Sequence, residues 1–281
     1  MKPNRNTQVR HNKQVHDAVA SSYERKHTEI FNPTEQARIA RVLEDAISQI
    51  ATVVEDPLVL DYGAGTGNLT GHLLMLGTRV IAADVSQKSL AALRKKYSAA
   101  NRLESVELNG VDLSMFKDNS LDMVATYSVL HHVPDYLGVV REFVRVVKPG
   151  GIIYIDHESA PQVWQEDGGN YKKYMTEYEC AYGRSFCERL VGKFRNLLSY
   201  SAWQGLVNWK LFGLRVEGDI HVTKGDHIEW DLIETAFCDR CEVVMRQDYL
   251  VCREVSPRAP VHRQYDGICS DMRVVIAKKR H

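Results

Sequence analysis

Val59-Leu60-Asp61-Tyr62-Gly63-Ala64-Gly65-Thr66-Gly67-Asn68 is the stretch on which the fold turns. Leu58 to Leu60 are apolar without alternation, as in a strand covered on both faces. Glycines at every second position, Gly63, Gly65 and Gly67, let the backbone turn sharply and lie close to a ligand. Leu69, Leu73, Leu74 and Leu76 then recur at roughly helical spacing. Strand, glycine turn and helix start together make a nucleotide-type pocket at the carboxyl edge of a parallel sheet.

The residues within the turn decide what it can hold. A dinucleotide fingerprint, G-x-G-x-x-G, seats a pyrophosphate on the helix N-terminus. With Gly63 and Gly65 as its first two glycines, Asn68 stands where the third belongs. Asp61 puts a carboxylate at the strand end, which repels a pyrophosphate and attracts an ammonium group. A second apolar run, Val80 to Ala83, ends in Asp84-Val85-Ser86. An acid about 20 residues beyond a glycine turn is where a ribose diol is hydrogen-bonded; the other reading of Asp84 is a helix N-cap.

Further along come Val111-Asp112-Leu113, the run Leu121 to His132, and Val147-Lys148-Pro149-Gly150-Gly151 leading into Ile152-Ile153-Tyr154-Ile155. With D-x-G-x-G-x-G at Asp61 to Gly67, these segments resemble, in order, the motifs of class I S-adenosylmethionine-dependent methyltransferases. The resemblance covers roughly residues 20 to 158 and is nearest the small-molecule branch that includes quinone-biosynthesis enzymes. It implies an α/β fold: a doubly wound, seven-stranded, mostly parallel Rossmann-like sheet, its last strand antiparallel between strands five and six. It also implies S-adenosyl-L-methionine as cofactor and S-adenosyl-L-homocysteine as product. Carried over by position, Asp61, Gly63, Gly65, Gly67, Asp84, Val85, Asp112, Leu113, Tyr127 and Ser128 are the cofactor-binding candidates. Tyr23 joins them as a residue near the methionine carboxylate, or is a packing residue.

The 281 residues suffice for one large α/β domain with elaborations. Lys plus Arg equals Asp plus Glu, 36 each, so no global basic footprint marks a nucleic-acid partner. No run of 18 apolar residues calls for a membrane span. The basic start has no apolar leader, so a cytoplasmic setting is expected. Cys238-x-x-Cys241 has no second close cysteine pair to complete a zinc site, and no metal is expected.

The resulting division gives a disordered polar tail (1–14), an N-terminal helical cap (15–52) and a cofactor-binding core (53–158). A helical, aromatic-rich insertion after strand five (159–228) and the remainder of the core (229–281) follow. Strands are expected at 58–62, 79–84, 104–109, 121–127, 151–156, 241–250 and 272–278. The insertion emerges on the ligand side of the sheet, so it reads as a lid over an aromatic or amphipathic small molecule. The other readings are a homodimer interface or plain helical packing.

Methyl transfer to oxygen or carbon commonly uses a general base, and histidine is the side chain tuned for it near neutral pH. His131, just after the fourth strand, is the first candidate and His227 the second. Three functions remain in play: methyl transfer to a small molecule, nicotinamide-dependent oxidoreduction, and cofactor binding without catalysis.

Overall fold

The strands that read as unbroken apolar runs lie in the middle of a sheet covered on both faces. In the computed structural model, which describes residues 4–51, 54–165, 169–182, 218–253 and 260–281, β1 (Leu58–Tyr62) and β4 (Leu121–Tyr127) are central. β2 (Arg79–Asp84) and β3 (Leu103–Glu107) extend the sheet one way, and β5 (Val147–Ser159) the other. A short hairpin, β6 (Val222–Thr223) with β7 (Asp226–His227), stands apart. β8 (Cys241–Tyr249) and β9 (Met272–Lys279) complete the sheet in the order β3-β2-β1-β4-β5-β9-β8. The first five strands are parallel, and β9 runs antiparallel to both β5 and β8, as expected for strand seven.

Alternate residues of each strand feed two separate cores, which explains why the strands do not alternate in polarity. Leu60, Val124, Ile153 and Ile155 pack on one face against Val139, Val140, Phe143 and Val144 of α6 (Tyr136–Val146) and Ile233 of α8 (Trp230–Ala236). Val59, Met123, Ile152 and Tyr154 pack on the other face, against α3 (Pro33–Ala51) and α4 (Asn68–Met75). α3 presents Ile39, Val42, Leu43, Ala46, Ile47 and Ile50, an apolar stripe at helical spacing. Its start is set by Pro33 and by Asn32, whose Oδ1 accepts from the Glu35 amide at 3.0 Å.

The amino-terminal segment departs from expectation. Arg5–Val19 forms helix α1, where polarity suggested a disordered tail over 1–14; α2 (Tyr23–Lys26) follows. α1 is polar because its partners are backbone groups. Gln8 Nε2 donates to Gly218 O at 3.0 Å, Asn12 Nδ2 to His132 O at 2.7 Å, and Arg5 Nη2 to Val111 O at 2.6 Å. Asp17 accepts from Ser86 Oγ at 2.6 Å and so ties the helix to the start of α5 (Gln87–Lys96).

After β5 come a 3-10 turn, Pro161–Trp164, and α7 (Gly169–Tyr182), which packs with α9 (Pro260–Tyr265) around Tyr174, Leu250, Val261 and Cys269. Most of the expected lid, including Phe186, Phe194, Trp203 and Phe212, lies outside the described residues. Among the described residues, no helix is long and apolar enough to cross a membrane.

Candidate active site

Strand order reverses between β1 and β4, which leaves a crevice at their carboxyl ends where α/β sheets bind ligands. A cavity, partly open to solvent, occupies it. Of the residues singled out from sequence, Tyr23, Asp61, Gly63, Gly65, Asp84, Val85, Tyr127 and Ser128 line it.

The glycine turn is held by its neighbours. The Gly63 and Ala64 amides donate to Ala83 O at 2.8 and 3.0 Å. Gly63 has φ +74, and a Cβ there would come within 2.4 Å of Val129 Cγ2. Gly63→Ala should therefore destabilise the fold by roughly 1–3 kcal/mol through overpacking, read as a lower denaturant midpoint. Gly65 is different: nothing lies within 4 Å of its would-be Cβ, so its backbone is open to the cavity.

The two acids meet different demands. Asp84 accepts from the Gly65 amide at 2.9 Å and the Ser86 amide at 2.7 Å. It is not the helix cap; that role belongs to Ser86, whose Oγ accepts from the Ser89 amide at 3.1 Å. Burial raises the Asp84 pKa, against the pull of the Ser86 and Gly65 amides and of nearby His16. Asp61 is deeply buried, and burial pushes its pKa up to about 7, although Thr70 Oγ1 donates to it at 2.6 Å. Beside it, Asn68 Oδ1 accepts from Gln36 at 2.9 Å, while the buried Asn68 Nδ2 has no hydrogen-bond partner.

Other candidates stand outside the cavity lining. Gly67 caps α4, and its carbonyl accepts from Tyr97 OH at 2.9 Å. Asp112 closes an exposed turn, accepting from Asn109 Nδ2 and Ser114 Oγ, both at 2.8 Å, and Leu113 is buried in the core. At this edge the cavity is lined instead by Leu108 and Gly110. Gly110 has φ +71 and Val9 of α1 pressed against it, so no side chain fits there.

The 3-10 turn after β4, Leu130–His132, carries two histidines. His132 lines the cavity; His131 is set behind it, their ring centroids 4.1 Å apart. His131 Nδ1 lies 2.9 Å from Glu158 Oε2, while Glu158 Oε1 accepts the Val129 and Leu130 amides at 2.9 and 2.7 Å. Burial alone would lower the His131 pKa, but the Glu158 carboxylate reverses this and the net shift is upward. Burial, with His131 and His16 nearby, holds His132 well below the usual imidazole range. His227 does not line the cavity; its ring stacks on Trp164 with centroids 4.7 Å apart.

Two features of the site escape the sequence reading. Val9, Asn12 and His16 of α1 form part of the cavity wall. The available signal was the polar stripe Gln8, Asn12, His16 at i, i+4 spacing, which marks one helix face. The second is a buried polar network behind Tyr127. Arg38 Nη2 bridges Glu35 Oε1 (2.6 Å) and Asp156 Oδ2 (2.9 Å). Tyr127 OH donates to Glu35 Oε1 at 3.0 Å and lies 2.9 Å from His157 Nδ1, and Tyr249 OH donates to Asp156 Oδ1 at 2.9 Å. The network ties α3 to the ends of β4, β5 and β8 and fixes Tyr127 against the cavity. Sequence spacing announces only the Glu35–Arg38 pair, at i, i+3; the bonds from that pair to Tyr127 and Asp156, and from Asp156 to Tyr249, each span more than 90 residues.

With this geometry in place, the comparisons are specific. Residues 60–155 match the family model described as a methyltransferase domain. That segment, about a third of the chain, thus carries a methyltransferase domain on a Rossmann-like sheet. It is 34% identical over 147 residues to a demethylmenaquinone methyltransferase of Clavibacter sepedonicus, covering 52% of this chain and 58% of the relative. It is 33% identical over 102 residues to a ubiquinone biosynthesis O-methyltransferase of Xanthomonas campestris pv. campestris, covering 34% and 41%. The chain thus spans about two-fifths to three-fifths of the length of these curated relatives. Among solved structures, it superposes on a chain from the complex between the Haloferax volcanii Trm112 methyltransferase activator and a methyltransferase. That match has a TM-score of 0.53 and 18% identity, covering 95% of this chain and 98% of the other, a likeness of fold.

Proposed function

We propose that this chain transfers a methyl group from S-adenosylmethionine to a small-molecule acceptor. The observation that carries the reading is the meeting of Asp61, Asn68 and Asp84 in one cavity at the β1/β4 switch point. Asp84 suits a ribose diol. Asp61 suits an ammonium group, and the unpartnered Asn68 Nδ2 suits a carboxylate, so the two complement an amino-acid end. Val85 and Leu108 supply an apolar wall for a base.

The same residues argue against a nicotinamide cofactor. A pyrophosphate at the α4 N-terminus would face the Asp61 carboxylate, with Asn68 in place of the third glycine. Calorimetry of the full chain against S-adenosylmethionine and NAD tests the reading; tight binding of NAD alone would reverse it. Transfer of a labelled methyl group into a panel of small hydroxylated and carbonyl compounds separates an enzyme from a binding module.

Bound S-adenosylmethionine would supply a methyl carbon on a positively charged sulfur, open to in-line attack. What the chain adds is chiefly alignment, worth up to about 7–11 kcal/mol in ideal cases. Tyr127 and Ser128 end β4 beside the glycine turn; Ser128 holds φ +59, a costly conformation for serine. The histidine pair at His131 and His132 is proposed to assist loss of the acceptor's proton. The quinone-biosynthesis names of the relatives support an aromatic acceptor, and a cytoplasmic setting belongs to the same proposal. Mass spectrometry of compounds that co-purify with the chain, and cell fractionation, check these two points.

Asp61 makes affinity depend on pH. An ammonium group prefers the ionised carboxylate, and the free protein holds Asp61 at about 7. Below that value binding must first expel a proton, so affinity should fall by up to about tenfold for each pH unit below 7. It should level off above about pH 8. Calorimetry in buffers of different ionisation enthalpy should show proton release on binding at pH 6 and little at pH 8.5. Stability of the ligand-free chain has the opposite trend. The folded chain holds this proton up to about pH 7, whereas an unfolded Asp loses it near pH 4. Asp61 therefore lowers stability progressively between those values as pH rises.

A further inference from the structure

We propose that His131, His132 and Asp219 form a binding site for a first-row divalent cation, of the kind zinc or iron(II) occupies, beside the cavity. Their ligand atoms all lie within 4.8 Å of one another. His132 Nδ1 is 3.2 Å from Asp219 Oδ1, and His131 Nε2 is 3.9 Å from the same oxygen. Ligands about 2.0–2.2 Å from a tetrahedral ion stand roughly 3.3 Å apart. One pair already has this spacing, and the others reach it by small side-chain adjustments.

Three observations distinguish the cluster from a chance gathering of polar residues. First, His132 Nδ1 is buried and lies 3.2 Å from Asp219 Oδ1 without a well-directed hydrogen bond, an arrangement that a cation between them would relieve. Second, His131 presents its other nitrogen, Nδ1, to Glu158 at 2.9 Å, and Glu158 is itself fixed by two backbone amides. A carboxylate behind a histidine is the usual way a metal-ligating ring is oriented and made more basic. Third, the segment carrying Asp219 is pinned to the same turn. The Ile220 and His221 amides donate to His131 O at 3.0 and 3.2 Å, and Asn12 Nδ2 donates to His132 O at 2.7 Å. Asp219 and Glu158 together offset the charge of a divalent ion.

Three protein ligands leave a coordination position open, the pattern of catalytic rather than structural sites. His132 also lines the cavity, which puts the ion at the cavity's edge. A hydroxyl or enol oxygen bound there would release its proton to water nearer neutral pH than it does free in solution. The identity of that oxygen as a methyl acceptor rests on the function proposed above; the cation site does not.

The test uses the full chain, stripped of metal, without S-adenosylmethionine. Titration with Co²⁺ should give one equivalent and the visible absorption of a tetrahedral site. X-ray absorption of the Zn²⁺-loaded wild type should count two imidazoles, a reading that needs no variant. Glu158→Gln should weaken Co²⁺ binding by roughly 10–100-fold. Asp219→Asn and His132→Gln should weaken it further, with thermal transitions confirming that each is folded. Failure of the wild type to bind, fewer than two imidazoles, or binding unchanged in Asp219→Asn overturns the site. Binding of S-adenosylmethionine, measured separately, keeps the outcomes apart. Cation binding without cofactor binding would sink methyl transfer and leave the site standing; cofactor binding alone would do the reverse.

Discussion

Asp84→Ala is expected to abolish measurable S-adenosylmethionine binding while the chain remains folded. A hydrogen bond to a charged group contributes about 1.5–3 kcal/mol, and a ribose diol offers two. Affinity should therefore fall by at least about tenfold for one bond and far more for both. The structure strengthens the case, because Asp84 also orders the site before any ligand arrives. Its Oδ2 holds the Gly65 amide and its Oδ1 the Ser86 amide. Alanine would release the open edge of the glycine turn as well as remove the acceptor. Asp84→Asn separates these effects, since an amide keeps one acceptor oxygen and the shape but loses the charge. The expected order of affinity is wild type, then Asn, then Ala, by calorimetry, with a single thermal transition in all three. Equal affinity of wild type and Ala would remove Asp84 from the ligand's contacts.

How far such a site can be read from sequence depends on whether its residues are neighbours along the chain. The turn from Asp61 to Gly67 and the acid at Asp84 were legible because strand length, turn and crossover helix fix their spacing. The alternation of strands and helices was legible for the same reason, whereas the antiparallel β9 beside β5 was legible only through the family resemblance. Elsewhere local pattern and tertiary role diverged. Residues 5–14 look like part of a tail because their few apolar positions cannot bury much surface. They join the helix that runs on to Val19 because Gln8, Asn12 and Arg5 satisfy backbone groups more than 100 residues away. Asp112 looked like a base-binding acid from its place after the third strand. Its carboxylate is already engaged by Asn109 and Ser114 within the same turn, a local competition that sequence spacing does not reveal. The network of Glu35, Arg38, Asp156, Tyr127 and His157 lay beyond reach, since nothing in one segment predicts which buried charge another will meet.

If the acceptor is a hydroxyl or an acidic carbon, His131→Ala should lower turnover by roughly 10²–10⁴, the usual size of the effect when assistance to proton loss is removed, and leave cofactor affinity nearly unchanged. His131 was the first choice from sequence as the residue just past β4. The structure keeps it in the functional cluster but places His132, not His131, in the cavity wall. The two rings lie 4.1 Å apart and share Asp219, so the pair should be tested as a unit. If they act together, His131→Ala and His132→Ala should each cost nearly as much as the double variant, as groups acting together do. Independent roles would instead multiply. Glu158→Gln adds a separate reading. The amide oxygen can still accept from Val129 and Leu130, but the negative charge facing His131 is gone. Turnover should drop with little change in KM. A loss confined to His227→Ala, with His131→Ala unaffected in single turnover, would move the chemistry to the β6–β7 hairpin beside Trp164.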